Sequence, residues 1–140
     1  MVKTVLVDTG PIVALIDRRD SYHNWAASIL DSLDNPMVAN TAVVVEVLFI
    51  LKRLKIDAYR FFGFVEENII KIVNPYPEKS VYIHSLHSKY KDMPASFADI
   101  CLVSMFEDDC TQQIFTIDSD FLIYRDSKGN PLNLISPHSS

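Results

Sequence analysis

The chain has 140 residues, 49% of them hydrophobic and 22% charged, a composition typical of one globular domain, which excludes an intrinsically disordered protein. Eighteen acidic residues against 13 basic ones give a net charge of −5, which argues against a protein that binds nucleic acid mainly through a positive field. No apolar run reaches the roughly 18 residues of a membrane span, and the N-terminal segment MVKTVLVD lacks the apolar core of a signal peptide, so we expect no membrane contact and a cytoplasmic protein.

Short apolar segments alternate with longer amphipathic ones along the chain. The β-branched runs that end in turn residues predict strands over residues 4–7, 37–39, 69–73, 114–117 and 132–135. The turn Thr9-Gly10-Pro11 can open a first helix that continues to Ile16. Helical spacing of apolar residues predicts further helices over residues 21–33, 41–55, 57–68, 78–90, 96–107 and 119–124, with Thr41 as the N-cap of the helix over 41–55. Strands that alternate with helices predict an α/β fold with three layers, α/β/α, around a central parallel sheet. We expect residues 1–140 to form a single domain, with 137–140 as a frayed tail.

Carboxylates stand at the ends of the predicted strands and in the first turns of the predicted helices. Asp8 directly follows the first strand and Asp118 directly follows the fourth, so both are expected at the carboxyl edge of the sheet, where ligands of such folds bind. Glu46 lies in the second turn of the third helix, and Asp99 lies in the first turn of the helix that begins near Ser96. If these helices start at the same edge, the four carboxylates converge there.

Glu46 is the one polar residue in the run AVVVEVLFIL and needs a partner of opposite charge if it is buried. Four carboxylates in one site repel each other, and a helix N-terminus offsets only about half a charge. Divalent cations would remove the repulsion, and a set of oxygen ligands favours Mg²⁺ or Mn²⁺ over zinc. Such ions can bind a phosphodiester and activate water, and they reverse the local charge that would otherwise repel a polyanion.

Each acid also has an interpretation without chemistry. Asp8 and Asp118 could simply cap the turn or helix that follows each of them. Ser96 and Asp99 have the spacing of a capping box. Glu46 could pair with a buried Lys or Arg, or lie on a solvated helix face. The capping interpretations predict unrelated locations, whereas the metal interpretation predicts a single one.

Cysteine and histidine give no sign of another metal site. Cys101 and Cys110 are nine positions apart with no further ligand at metal-binding spacing, which indicates small hydrophobic residues in a reducing compartment. His84 and His87 are three positions apart on a predicted helix but have no third ligand near them in the sequence.

Four segments resemble PIN-domain nucleases, especially the VapC-like toxin group, in order and spacing: VDTGPIVALIDRRDSYHNWA, TAVVVEVLFIL, MPASFADICLVSMFED and FTIDSDFLIYR. The resemblance covers essentially the whole chain. It implies a PIN-like three-layer fold and an endoribonuclease that uses Mg²⁺ or Mn²⁺. The residues it assigns to catalysis and metal binding are Asp8, Glu46, Asp99 and Asp118. The auxiliary residues are Thr9, Thr116 and Asp120.

The resemblance also implies partners. The substrate would be RNA, and VapC-like toxins are commonly held by a cognate antitoxin that places a basic side chain in the acidic pocket. A rival interpretation is therefore a non-catalytic module that binds nucleic acid or protein, with its acids occupied by an inhibitor's Arg or Lys. A receiver-like phosphoacceptor domain is a third class, which is disfavoured because Asp8 has no paired acid and no predicted strand ends in Lys.

Residues outside the motifs suggest two contact surfaces. Basic residues that follow the motif-bearing helices are candidates for phosphate contacts, although a solvated surface explains each of them as well. These candidates are Arg18, Arg19, Lys52 and Arg53. The aromatic stretch AYRFFGF could serve a homodimer, since PIN domains often dimerise, and core packing explains it equally well.

Overall fold

A parallel sheet forms the centre of the molecule in the computed structural model, which describes residues 4–106 and 112–138, so Cys110 lies outside the described residues. Its strands are β1 (Thr4–Val7), β2 (Met37–Ala39), β3 (Ile70–Ile72), β4 (Gln112–Phe115) and β5 (Leu134–Ile135). The helices are α1 (Thr9–Ile16), α2 (His23–Ser32), α3 (Thr41–Arg53), α4 (Tyr59–Glu66), α5 (Ser80–Lys89) and α6 (Phe97–Met105), and Ser119–Leu122 form a 3₁₀ turn. The predicted α/β/α fold with a central parallel sheet is confirmed.

The order of the strands determines where a site can form. The sheet runs β3-β2-β1-β4-β5, and every neighbouring pair is parallel. The chain moves outward from β1 to β3 and then returns to the other side of β1 for β4 and β5, so the order reverses between β1 and β4. In open parallel sheets, ligands bind in the crevice beyond the carboxyl ends of the strands at such a reversal.

Burial on both faces explains the continuous apolar runs of the strands. Three successive residues of β1, Val5, Leu6 and Val7, are all buried, as expected for a parallel sheet covered by helices on both sides. Trp25 of α2 packs edge-on against Phe115 of β4, with ring centroids 5.5 Å apart. Its helical spacing with neighbouring apolar residues therefore reflects packing on the core.

Strand β4 begins and ends two residues earlier than the sequence predicted. It pairs in register with β1, from Thr4 opposite Gln112 to Val7 opposite Phe115, and the ladder stops where β1 stops. The prediction that Asp118 directly follows the strand is therefore wrong, because a two-residue segment separates them.

Asn40, and not Thr41, is the N-cap of α3. The backbone of Asn40 is extended, and its Oδ1 accepts a hydrogen bond from the N–H of Val43 at 3.0 Å. Thr41 is already the first helical residue, and its N–H donates to Oδ1 of Asn74 at 2.8 Å. The prediction of Thr41 as the cap was wrong because the residue before it is in the capping conformation.

The aromatic stretch on α4 is divided between core and surface. Phe61 is buried and Phe64 packs against the core, whereas Tyr59 and Phe62 are exposed. Core packing therefore accounts for two of the four aromatic residues that were considered for a dimer interface. A homodimer stays a prediction.

Three further features of the described chain concern Cys101, the C-terminal residues and the length of the helices. Cys101 is buried as a free thiol, and burial raises its pKa to about 11, which suits a small hydrophobic residue. The predicted frayed tail is described only to His138, whose N–H donates to Oγ of Ser136 at 3.0 Å. Across the described ranges, no helix combines the length and apolar character needed to cross a membrane.

Candidate active site

Asp8 reaches the crevice because it is the first residue after β1. Its backbone N–H donates to the carbonyl of Phe115 at 2.9 Å, which fixes the main chain to the neighbouring strand. Its Oδ2 accepts a hydrogen bond from the hydroxyl of Thr116 at 2.9 Å, so the side chain spans the reversal between β1 and β4. The Asp8 side chain makes no capping hydrogen bond to α1 within the described part of the chain, which leaves its capping interpretation without support.

Thr116 connects the carboxylate of Asp8 to the backbone of Asp118. The Thr116 side chain is fully buried, and its hydroxyl also accepts a hydrogen bond from the N–H of Asp118 at 3.0 Å. Asp118 in turn caps the 3₁₀ turn, since its Oδ1 accepts from the N–H of Asp120 at 2.8 Å. The capping interpretation of Asp118 is therefore correct as a local description, and it does not exclude membership of a shared site.

Asp99 also combines a cap with a place in the crevice. The Oγ of Ser96 accepts from the N–H of Asp99 at 3.1 Å, and Oδ2 of Asp99 accepts from the N–H of Ser96 at 3.4 Å, which is a capping box. The same Oδ2 accepts a hydrogen bond from the hydroxyl of Tyr124 at 3.1 Å. The box holds the carboxylate at the N-terminus of α6, and Tyr124 fixes its orientation.

Three of the four predicted acids come close enough to share one ion. One carboxylate oxygen each from Asp8, Asp99 and Asp118 lies within 4.8 Å of the others. Ligands of one Mg²⁺ are about 4.2 Å apart on opposite sides and about 3 Å apart when adjacent, so shifts on the order of 1 Å would let the three oxygens supply part of one coordination shell. Glu46 stands outside this group but lines the same cavity, whose volume is about 390 Å³. The side chain of Asp120 is also outside the group.

The electrostatics of the cavity reflect burial and mutual repulsion. Burial, followed by the nearby charge of Asp99, raises the pKa of Asp8 to about 7, against the opposing hydrogen bond from Thr116. Burial and the charges of Asp118 and Glu46 raise the pKa of Asp99 to about 6. The pKa of Glu46 is raised by burial first and by the charge of Asp118. Asp8 therefore holds part of a proton at neutral pH, which a bound cation would displace.

No basic side chain neutralises these acids within residues 4–106 and 112–138. The ion pair found there joins Arg19 Nε to Asp17 Oδ1 at 3.7 Å, away from the cavity. Neither Lys nor Arg lines the cavity that contains the acids. Glu46 is thus not paired with a buried Lys or Arg, and the counter-charge must come from outside the described chain.

The hydroxyl of Thr9 gives a second, independent indication that the cavity binds a polar ligand. Its Oγ1 is the one buried side-chain polar atom without a hydrogen-bond partner in the described residues, and it lies beside Asp8 in the wall of the cavity. A buried hydroxyl without a partner costs about 1–3 kcal/mol, so a bound water, ion or substrate oxygen is expected there. Together with carboxylate oxygens only, this donor set fits Mg²⁺ or Mn²⁺.

Tyr124 is the site residue that the sequence analysis missed. Its ring is buried edge-on against Tyr90 and Phe121, with centroids 5.0 Å away in both cases. Its hydroxyl lies 25 positions from its partner Asp99 in the sequence. The available signal was a tyrosine in an apolar segment, because a buried tyrosine hydroxyl needs a hydrogen-bond partner.

The basic residues predicted to contact phosphate lie far from the acids along their helices. They are Arg18, Arg19, Lys52 and Arg53. The first two follow the last residue of α1, whose eight residues span about 12 Å from the Asp8 end. The other two are in the last turn of α3, where the Arg53 guanidinium lies 5.7 Å from the centroid of the Phe49 ring. All four are exposed and none lines the acidic cavity, so their contact with RNA stays a prediction.

Comparisons with known proteins agree with this geometry. The family model described as PIN domain matches residues 5–126. The fold is similar to the crystal structure of Mycobacterium tuberculosis VapC20, described as a Sarcin-Ricin loop cleaving toxin. The TM-score is 0.73 at 17% sequence identity, and the match covers 84% of this chain and 92% of the other. At that identity the likeness shows a shared fold. Among curated proteins, no match is found.

Proposed function

The chain belongs to the PIN domain family, and on that premise we propose that it is an endoribonuclease that hydrolyses RNA phosphodiester bonds with Mg²⁺ or Mn²⁺ and acts as the toxin of a toxin–antitoxin pair. The observation that carries this proposal is the group of three carboxylates, Asp8, Asp99 and Asp118, within 4.8 Å of one another at the reversal of strand order. The proposal places the enzyme in the cytoplasm, where a free thiol such as Cys101 stays reduced.

The residues that would hold the ion are Asp8, Asp99 and Asp118, with Glu46 on the wall of the same cavity. When bound, a divalent ion neutralises these carboxylates, polarises a phosphate oxygen and lowers the pKa of water. Thr116 holds the carboxylate of Asp8 in place through its hydroxyl. Hydrogen-bond partners of metal ligands of this kind fix the orientation of the ligands and tune their affinity.

The chain's remaining polar groups supply binding and proton transfer. Glu46 is half-buried with a raised pKa and is free of the three-carboxylate group, which suits it to accept a proton from the attacking water. The unpartnered hydroxyl of Thr9 is available to donate a hydrogen bond to a phosphate oxygen. In-line attack of water with the 3′ oxygen as leaving group gives products with 5′-phosphate and 3′-hydroxyl ends.

Metal-dependent cleavage by the purified protein tests this function. The substrate is an unstructured oligoribonucleotide, incubated with Mn²⁺ or with EDTA. We expect the wild-type protein to cut only with Mn²⁺ and Asp8→Asn to cut no faster than wild type in EDTA. Asp31→Asn removes an exposed carboxylate on α2 and serves as the matched control, which should cut like wild type. Cleavage by Asp8→Asn at the wild-type, metal-dependent rate would contradict the assignment.

A protein partner that inserts a basic side chain is the second candidate for the same cavity. Three carboxylates with no cation of their own within the described residues also suit a guanidinium, which forms charge-assisted hydrogen bonds with carboxylates. Both can hold for one protein if the partner is an antitoxin that blocks the enzyme. Purified protein that shows no Mn²⁺-dependent cleavage would favour the non-catalytic binding module instead.

A further inference from the structure

A second cavity of about 640 Å³ opens beside the acidic one. It shares Glu46 and Ser96 with the acidic cavity, so the two cavities lie side by side. We call it the aromatic groove, and its walls include Ala42, Val45, Tyr76, Phe97, Ala98 and Cys101. Among the residues that line it, Glu46 is the only charged one, and it stands at the junction of the two cavities.

Two aromatic rings in the groove are exposed yet held in place. Tyr76 is 44% exposed and Phe97 is 46% exposed, and their rings meet edge-to-face with centroids 5.5 Å apart. The hydroxyl of Tyr76 is also hydrogen-bonded to Nε2 of His84 at 3.2 Å, which limits rotation of the ring. Exposed, fixed aromatic rings are the surfaces on which proteins stack the unpaired bases of single-stranded RNA.

The first turns of α3 and α6 both face the groove. Side-chain caps satisfy some N–H groups in each turn. The N–H groups of Ala42, Phe97 and Ala98 have no intrahelical acceptor, and all three residues line the groove. The positive ends of two helices there favour a phosphate group. Glu46 in the groove wall and Asp99 in the capping box of α6 carry the opposite charge, so the helix ends offset part of the negative charge there.

We propose that the aromatic groove binds the nucleotide next to the scissile phosphate of a single-stranded RNA. Its base stacks on the ring of Phe97 with the ring of Tyr76 beside it, nearly perpendicular to Phe97, and its phosphate lies at the first turns of α3 and α6. The proposal rests on the proposed ribonuclease function and adds a requirement for an unpaired base at one position beside the cut. The groove adjoins the carboxylates, which favours a nucleotide over a protein segment as the occupant. An RNA strand whose scissile phosphate is bound at the acids has its next nucleotide within reach of the groove.

The test uses a short unstructured oligoribonucleotide and versions in which one nucleotide at a time, around the cut, lacks its base. Binding is measured by fluorescence anisotropy in Ca²⁺, and cleavage is measured separately in Mn²⁺. Phe97→Leu removes the ring and keeps an apolar side chain. Phe62→Leu is the matched control, because Phe62 is 47% exposed on α4 and lies outside the groove. If Phe97→Leu fails to fold, Tyr76→Leu removes the second ring of the groove and is tested in the same way. Tyr76→Phe keeps that ring and serves as the comparison for Tyr76→Leu.

We expect Phe97→Leu to weaken binding of the intact RNA about tenfold, within the range measured for loss of one stacked base. One abasic position should weaken binding to the wild-type protein by a similar factor and have no further effect on Phe97→Leu. Phe62→Leu should bind like wild type, and Tyr76→Phe should bind more tightly than Tyr76→Leu because it keeps the ring.

Wild-type affinity in Phe97→Leu, or additive losses of affinity from the variant and the abasic position, would overturn the groove assignment. In that case, Mn²⁺-dependent cleavage by the wild-type protein would still support the proposed ribonuclease function. Absence of both binding and cleavage by the wild-type protein would overturn the function and the groove together. A change of oligomeric state in Phe97→Leu on sedimentation, with RNA binding unchanged, would assign the groove to a second copy of the chain and overturn the proposal.

Discussion

Two buried hydroxyl groups, those of Thr116 and Tyr124, hold the carboxylates of Asp8 and Asp99 in place. Both are neutral donors, so they orient the carboxylates without cancelling their charge. A lysine or arginine in either position would instead have neutralised a carboxylate from within the chain. The negative charge of the cavity is therefore kept available for a cation from solution.

Tyr124→Phe tests the role of the more remote hydroxyl. The ring stays packed on Tyr90 and Phe121, so the fold should persist, while Asp99 loses a hydrogen bond that fixes its orientation. We expect Mn²⁺ affinity to fall about tenfold or more, the usual effect of removing a hydrogen-bond partner of a metal ligand. Titration calorimetry measures the affinity, with Tyr59→Phe at an exposed position as the control. Equal affinities for Tyr124→Phe and wild type would contradict a positioning role.

The raised pKa values make a prediction about the metal-free protein. Because the pKa of Asp8 is about 7 in the folded state and about 3.9 in an unfolded chain, the folded state binds more protons between these values. The contribution of Asp8 to the free energy of unfolding is therefore largest below about pH 4 and is lost as the pH rises to about 7. Asparagine does not titrate, so Asp8→Asn lacks this pH-dependent loss. In EDTA, the free energy of unfolding of Asp8→Asn relative to wild type should therefore increase as the pH rises from about 4 to about 7.

Urea unfolding at several pH values in EDTA measures this difference. A difference in the free energy of unfolding between Asp8→Asn and wild type that stays constant from pH 4 to pH 7 would contradict the raised pKa of Asp8 in the folded protein.

The sequence predicted the acids better than their neighbours. Asp8 was accessible to prediction because it follows an apolar strand, and Asp99 because it lies in the first turn of a predicted helix. Tyr124 was not, because its contact with Asp99 arises only from tertiary packing. Glu46 was expected among the metal ligands, but it stands at the side of the cavity, and its role there stays a prediction.

At the level of helices and strands, the sequence located the elements but not their limits. Apolar runs and turn residues were sufficient to predict that β4 and α3 exist. The limits of β4 depend on its register with β1, which is a tertiary property. The start of α3 depends on which of two adjacent capping residues, Asn40 or Thr41, has the extended backbone.

The cap of α3 gives a test with paired variants. Asn40→Ala removes the hydrogen bond to the N–H of Val43 and should lower the free energy of unfolding by about 1 kcal/mol or more. Thr41→Ala should change it by less than about 0.5 kcal/mol, since Thr41 is the first helical residue and not the cap. Urea unfolding of both variants measures the difference. A larger loss in Thr41→Ala would restore the prediction made from the sequence.

For the molecule as a whole, the strand order determines where the carboxylates meet. The reversal between β1 and β4 brings Asp8 together with Asp99 and Asp118, which follow it in the sequence by 91 and 110 positions. No Lys or Arg of the described residues lines the acidic cavity, so the proposed function requires divalent cations to offset its negative charge before RNA can bind.

Mn²⁺ should stabilise the whole domain in one step. At about 100 times its dissociation constant, a ligand that binds only the folded state adds about 2.7 kcal/mol. For a chain of this size that corresponds to a rise in Tm of roughly 5–10 °C. Differential scanning calorimetry should show one transition that moves as a unit. Two separate transitions would contradict the single domain predicted for residues 1–140.

Titration calorimetry of Mn²⁺ into the metal-free protein measures most directly whether Asp8, Asp99 and Asp118 form one cation site. We predict saturable binding to the wild-type protein and to Asp31→Asn, with a large loss of affinity in Asp8→Asn and in Asp118→Asn. No heat of binding to the wild-type protein, or unchanged affinity in both site variants, would show that these carboxylates do not hold a divalent ion.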